Sequence, residues 1–263
     1  MRILVTGPRG FVGARIMQAL PDAIPAPPLR DADEQSIRSL VDKLEPDLII
    51  HTAAISDIQA CADDPEGSYR ANVELPLWLV RTGVKSVLFS TDQVYSGCAG
   101  EGPYPEDDVS PANLYACHKL EMEQRTLEAS PDTVLLRATW MYDMPIYGLP
   151  NQGNFLMNML LEKQLAFSST QHRAVTYVRE VARLVRNAGD LPGGVYNFGS
   201  ENNLTMLETA RWLRERLALP VELSDAGPRH ALWMDCSKAK QHGICFRDTV
   251  PGLEQCIADY GLG

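Results

Sequence analysis

Three glycines, Gly7, Gly10 and Gly13, stand at i, i+3 and i+6 between the apolar run Ile3-Leu4-Val5 and a helical stretch beginning at Phe11. No other feature restricts the fold as strongly. A strand that turns through glycines into a helix starts a βα unit. Its turn lets backbone approach a phosphate, and the helix N-terminus offers free N–H groups. Gly7, Gly10 and Gly13, with Phe11 and Val12 in the same turn, are therefore candidate holders of a dinucleotide pyrophosphate. The spacing is GxxGxxG rather than GxGxxG, and a purely structural turn is the competing reading.

The rest of the chain continues the rhythm. Ala23–Pro27, Asp47–His51, Val84–Ser90 and Val134–Arg137 read as strands. Between them Phe11–Leu20, Glu34–Leu44, Pro65–Arg81 and Pro111–Glu128 read as helices. Pro76 is a kink in the third of these. Phe11, Ala14, Met17 and Leu20 mark the buried face of the first. Near-continuous apolar strands alternating with helices predict an α/β fold, a doubly wound parallel sheet of the Rossmann type. After residue 140 the pattern loosens. Tyr142–Gly153 reads as a loop, Phe155–Lys163 as a helix and Ala174–Val178 as a strand. Glu180–Ala188 follows as a helix and Gly194–Phe198 as a further sheet strand, with helices over Thr205–Leu217 and Val250–Tyr260. Residues 1–140 and about 173–198 form the expected dinucleotide-binding domain. About 141–172 and 199–263 form a small C-terminal substrate-binding lobe.

Composition narrows the partners. The formal net charge of −10 over 263 residues disfavours nucleic acid and anionic membrane. No apolar run reaches the length of a membrane span, and Met1-Arg2 leads directly into a strand without a signal peptide. The six cysteines show neither CxxC pairing nor metal-ligand spacing. Reduced thiols, no metal and a cytoplasmic location are expected. Trp78, Trp212 and Trp233 read as packing residues, His51 as a core histidine, and the acidic stretch Glu101 to Asp108 as a loop near the pocket mouth.

A second motif supplies chemistry. Tyr115 and Lys119 stand at i and i+4 on a predicted helix and share a face. A nearby ammonium favours phenolate, which brings a tyrosine toward the working range of a general acid–base. Thr91 ends the fourth strand, the sheet edge where ligands lie in open α/β folds, and its hydroxyl can bond a substrate carbonyl beside Tyr115. The cofactor's identity is a question of charge. NAD sites place a carboxylate at the end of the second strand. Here that strand runs into Pro27-Pro28-Leu29-Arg30, with no carboxylate before Asp31, and Arg9 lies in the glycine turn. Arg9, Arg30 and Asp31 are the candidate residues there, and the balance favours NADP(H) over NAD(H).

With these residues in place the chain resembles the extended short-chain dehydrogenase/reductases, and within them the dTDP-4-dehydrorhamnose reductase group. Pro46–Ala54 resembles that group's strand and small-residue cofactor floor, and Tyr69–Val73 carries its helix asparagine, Asn72. Ser90–Gly97 resembles the STDYVFDG-type segment, Leu136–Tyr142 the RTSWVYG-type segment, and Arg229 to Lys238 the RP…LDCSK stretch. The resemblance implies an NADPH-dependent reductase of a nucleotide-linked 4-keto sugar. Thr91, Tyr115 and Lys119 would be its catalytic set, with Tyr115 protonating the C4 oxygen as hydride reaches C4. It further implies that Ala53, Ala54, Ser90, Tyr115 and Lys119 touch the cofactor. Asp92, Gln93 and Trp140 would line the sugar pocket, and Asn154 and Arg229 would approach the nucleotide. The homodimer common in such families is carried over as analogy alone.

The departures are specific. Gln93 replaces a tyrosine that faces the sugar, Arg173-Ala174-Val175-Thr176 replaces a GxPT-like turn, and His230 replaces a proline. Gln93 also stands where the related dehydratases carry a glutamate base, which argues against 4,6-dehydration. Two alternatives remain open. One is an epimerase or other carbonyl reductase of the same family. The other is a regulatory module that binds NADP and a partner protein without redox turnover, as resembled by the regulatory subunit of methionine adenosyltransferase.

Overall fold

The computed structural model describes residues 1–262. Six parallel strands form the central sheet in the order β2-β1-β3-β4-β5-β9. They are β1 (Ile3–Thr6), β2 (Ile24–Pro25), β3 (Leu48–His51), β4 (Ser86–Thr91), β5 (Val134–Ala138) and β9 (Gly194–Phe198). Alternate residues of each strand feed opposite faces. Ile3, Val5, Leu48, Ile50, Val87, Phe89, Val134 and Leu136 pack on one side, beneath α1 (Phe11–Ala19) and α8 (Val178–Ala188). Leu4 and Ile49 pack on the other, beneath α2 (Glu34–Leu44) and α5 (Leu75–Val80). Leu88 and Leu135 meet Met122 of α6 (Leu114–Ala129) on that same side. Both faces are covered, which is why the strands read as continuous apolar runs. The chain turns outward from β1 to β2 and returns on β1's other side to β3. The crevice beyond the carboxyl ends of β1 and β3 is the switch point at which such sheets bind ligands.

The stretch read as one helix from Pro65 is three pieces: α4 (Pro65–Tyr69), a π-helical turn over Arg70–Glu74, and α5. The disruption precedes Pro76. The Leu75 N–H reaches Arg70 O, five residues back, and Pro76 has no N–H to continue the ladder. A short α3 (Ile58–Asp63) comes before it. The helix expected from Pro111 starts at Leu114, because the Asn113 side chain accepts from Ala116 N–H and caps it there. On α1 the buried stripe runs through Phe11, Ala14, Arg15 and Ile16, while Met17 and Leu20 are only partly buried.

Past β5 a second core forms around Tyr142, Phe155, Val175, Tyr177, Met206 and Leu253. It joins β6 (Trp140–Tyr142), α7 (Phe155–Leu161), β7 (Gln164–Phe167) and β8 (Val175–Tyr177) to α9 (Met206–Arg216), β10 (Glu222–Asp225) and α11 (Thr249–Tyr260). Strands β6 and β8 pair in parallel, as do β7 and β10, and β6, β7 and β10 carry no clear signal in the sequence. Because β8 packs into this second core, the chain returns to the main sheet through α8 and β9 rather than at residue 173. Residues beyond α10 (Ser237–Gln241) go back to the first core through Ile244 and Phe246.

Candidate active site

The glycine turn is built by close packing. Gly7 has φ of +68° and a Cβ there would lie 2.8 Å from Ala53 N. A Cβ on Gly13 would lie 2.1 Å from Gly7 O, so the turn closes only with glycine at both positions. Gly10 N–H donates to Gly7 O at 2.9 Å, and Thr52 Oγ1 donates to Thr6 O at 2.8 Å, tying the turn to the end of β3. No side chain caps the first turn of α1 and no acidic residue stands in it. Its leading N–H groups are left for an anion. A pyrophosphate fits this cradle.

Two adjoining recesses run from the turn. One, of about 250 Å³, is lined by Gly7, Arg9, Gly10, Leu29 and Ala53. The other, of about 410 Å³, is lined by Arg30, Ala53, Ala54, Asp64, Arg70 and Trp78. Arg9 and Arg30 are exposed at these walls, whereas Asp31 lines neither recess. Trp78 packs half-buried against the core beneath α2 and α5, as expected, and also lines the larger recess. Asn72 is fully buried in the π-helical turn and fixes the floor at Ile55, accepting from its N–H at 3.2 Å and donating to its carbonyl at 2.9 Å.

A third cavity, of about 540 Å³, opens at the carboxyl ends of β4 and β5, and Ser90, Thr91, Gln93, Tyr115, Trp140 and Arg173 line it. Helix α6 brings in Tyr115 and Lys119, buried one turn apart. Burial raises the pKa of the Tyr115 phenol, and the neighbouring Thr91 hydroxyl opposes that rise without overcoming it. The sequence implied the opposite direction. The reason is that both partners are desolvated: Lys119 itself is pulled down to about 8 by burial, against the opposing pull of Glu123. His51, also fully buried, is brought down to about 3 by burial and by the nearby Lys119, so its ring stays neutral. Its Nδ1 meets Thr6 Oγ1 at 2.6 Å. Ser90 Oγ donates to Glu123 Oε1 at 2.5 Å, and Glu123 is locked to Arg137 at 2.6 Å with both side chains buried.

Several expected substrate residues are otherwise engaged. Asp92 lines the cavity as expected but is buried there, and both its oxygens accept from Arg173, Nε at 2.8 Å and Nη2 at 3.1 Å. Burial raises the Asp92 pKa and the guanidinium opposes that rise. Arg173 is the cation of the cavity lining, which also holds Asp57 and Asp92, and it lies 5.7 Å from the centroid of the Trp140 ring. Gln93 lines the cavity, but its Oε1 accepts from Asn113 Nδ2 at 3.1 Å. Asn154 does not reach the cavity. It is fully buried, accepts from Met157 N–H as the cap of α7, and donates to Asp143 O and Gln152 O. Arg229 is exposed on a loop outside the lining. The acidic stretch also differs from expectation. Glu106 accepts from Asn197 N–H and its carbonyl accepts from Arg137, which places that loop at a separate cavity beside Lys238.

Sequence reasoning missed Arg15, Arg70 and Glu123 around these sites. Arg15 lies two residues past Gly13, fully buried, with Nε donating to Asp143 Oδ2 at 2.7 Å and Nη1 to Pro150 O at 2.7 Å. It holds the loop that carries Gln152 and Gly153 to the cavity of about 540 Å³. A lone cation in an apolar helix gives no pattern from which such a role could be read. Among the described residues no three His, Cys, Asp or Glu side chains group as metal ligands, and no helix is long and apolar enough to cross a membrane.

A strand–glycine–helix turn at the switch point, with Thr91 and Tyr115 lining one cavity and Lys119 one turn further along the same helix, is the arrangement of an extended short-chain dehydrogenase/reductase. The chain belongs to the family of the RmlD substrate binding domain, whose pattern matches residues 1–243. It is 29% identical to a dTDP-4-dehydrorhamnose reductase of Burkholderia thailandensis, covering 76% of this chain and 73% of that one. It is 26% identical to the spore coat polysaccharide biosynthesis protein SpsK of Bacillus subtilis, over 83% and 80%. It is 25% identical to methionine adenosyltransferase 2 subunit beta of Danio rerio, over 94% and 87%. The fold matches the crystal structure of dTDP-4-dehydrorhamnose reductase from Bacillus anthracis in complex with NADP. The TM-score is 0.86 at 19% identity, covering 98% of this chain and 99% of that one.

Proposed function

We propose that this chain is an NADP(H)-dependent reductase of a nucleotide-linked 4-keto sugar, with Tyr115 as the proton donor. As a family member it is an NAD(P)-dependent oxidoreductase of the extended short-chain type. The observation that carries the finer reading is one cavity faced by the Thr91 hydroxyl and the Tyr115 phenol, with Lys119 buried one turn along α6. The named dTDP-4-dehydrorhamnose reductases among its relatives support a sugar-nucleotide substrate.

The nicotinamide, when bound, supplies the hydride that goes to the carbonyl carbon. The residues of this chain do the rest. Thr91 donates a hydrogen bond to the carbonyl oxygen and fixes its position. Tyr115 transfers its phenolic proton to that oxygen as it becomes an alcohol, and the phenolate is then reprotonated from solvent. The raised pKa of Tyr115 keeps it protonated at neutral pH, the state a reductase needs before turnover. Lys119 makes no hydrogen bond that alters its titration, which leaves its ammonium for ligand hydroxyls.

The test is loss of nicotinamide absorbance with dTDP- and UDP-linked 4-keto sugars, in the native chain and in Tyr115→Phe. Turnover should fall by roughly 10²–10⁴ in the variant while NADPH affinity stays within a few fold. The relative named as a methionine adenosyltransferase subunit supports a second reading, binding without turnover. NADPH binding with no consumption of any keto sugar would favour it.

A further inference from the structure

The larger recess beside the glycine turn contains a cation that no sequence motif marked. Arg70 stands in the π-helical turn, half-buried, on the recess wall. Three contacts hold it. Its Nε donates to Arg30 O at 3.3 Å, its Nη2 donates to Ala32 O at 2.6 Å, and its guanidinium carbon lies 5.3 Å from the centroid of the Trp78 ring. Both acceptors are neutral carbonyls on the loop after β2, and the guanidinium is in no contact ion pair among the described residues, although Asp33 is near enough to feel its charge. Its remaining nitrogen, Nη1, takes part in neither bond. Arg30 lines the same recess. The only acidic residue of the lining, Asp64, is occupied at the start of α4, where it accepts from Gly67 N–H at 2.9 Å. Asp33 lies nearby on the loop, but its carboxylate accepts from Ser36 N–H and Ser36 Oγ as the cap of α2. Two arginines therefore line a recess whose one carboxylate is turned to a helix cap. This is the reverse of a site that would hold a ribose 2′-hydroxyl with a carboxylate.

We propose that Arg70 is the residue that selects a 2′-phosphorylated adenine nucleotide, its guanidinium reading the phosphate monoester while its bonds to Arg30 O and Ala32 O set the loop that brings Arg30 to the same group. The inference rests on the cofactor reading above and sharpens it. A planar donor set over an indole and fixed by two backbone acceptors is pre-organised, and its interaction with a doubly charged phosphate is charge-assisted. Arg70 is thus a binding residue whose backbone bonds are also structural, and the test must separate the two roles.

The probes are 2′,5′-ADP and 5′-ADP, titrated calorimetrically into the native chain, Arg70→Ala and Arg70→Lys, with no turnover required. The native chain should prefer 2′,5′-ADP by at least about tenfold, a preference that narrows at high salt. Arg70→Ala should bring the two affinities within about threefold of each other, through loss of the 2′,5′-ADP affinity alone. Arg70→Lys, which keeps a charge but not the fork, should retain part of the preference. An equal loss for both probes in Arg70→Ala would reduce the residue to a loop fastener and overturn the proposal. So would an unchanged preference in that variant, or a complete loss in Arg70→Lys. A native chain that binds both probes equally overturns the proposal together with the NADP preference, but leaves the nucleotide site standing. A native chain that binds neither overturns the nucleotide site itself.

Discussion

Lys119 should cost the free protein stability, and removing its charge should return it. The residue is 1% exposed, and burial brings its pKa from 10.5 to about 8. At neutral pH the folded chain holds a charge that its surroundings disfavour. A gap of that size corresponds to roughly 3 kcal/mol at about 1.4 kcal/mol per pKa unit. The direction with pH follows from proton counting. Between the folded and the unfolded values the unfolded chain keeps the proton and the folded chain has lost it, so stability rises with pH across that window. Below it both states are protonated and the full penalty stands. Lys119→Met removes the titration. The variant should be the more stable protein at pH 7, and about 2 kcal/mol of its advantage should disappear by about pH 9.5 as the native lysine deprotonates. For a chain of this size that is a narrowing of about 4–8 °C in the difference between melting temperatures. The assay is thermal and urea unfolding of both chains without cofactor at the two pH values, so that the other titrating groups cancel in the difference. The same variant should lose turnover, because an ammonium at this position is what the proposed chemistry uses. Parallel stability–pH curves, or a variant less stable than the native chain at pH 7, would refute the reasoning.

Three further outcomes are expected. Gly13→Ala places a Cβ 2.1 Å from Gly7 O, so the turn must open; NADPH affinity should fall by at least about tenfold with a stability loss of about 1–3 kcal/mol, and native affinity by calorimetry would contradict the packing argument. Arg15→Leu leaves the Asp143 carboxylate buried without its cation; unfolding in urea should show a loss of about 3–5 kcal/mol, much of it recovered when Asp143→Leu is added. Arg173→Gln removes the group that opposes the rise of the Asp92 pKa. The folded chain then binds protons over a wider range above the ordinary carboxylate value, so its stability should decline more steeply than the native chain's between about pH 4 and 7, and identical slopes would count against the Asp92–Arg173 pair.

How far the site was legible depends on how local each signal is. Gly7, Gly10 and Gly13 follow from spacing because the turn they make is contiguous in the chain. Tyr115 and Lys119 follow from helical periodicity for the same reason. Asn154 was misplaced because the atoms that occupy it, Asp143 O and Gln152 O, belong to a loop whose path has no sequence signature. Asp92 is an acidic residue beside Thr91 in the sequence, yet in the fold it serves Arg173, 81 positions away. The strands β6, β7 and β10 were missed because each is three or four residues long and gains its hydrogen bonds from a distant partner.

The chain's own order of residues therefore determined the alternation of strands and helices, the glycine turn and the helix that carries Tyr115 and Lys119 on one face. Each is decided by backbone conformation and side-chain period within a few neighbouring residues. The tertiary structure alone decided which charges those elements meet: Arg15 with Asp143, Asp92 with Arg173, Arg70 with the loop after β2, and Lys119 with water excluded around it. Burial and partnership are properties of what the rest of the chain brings alongside a residue. They govern the pKa of Tyr115 and Lys119 and the charge of the recess beside the glycine turn.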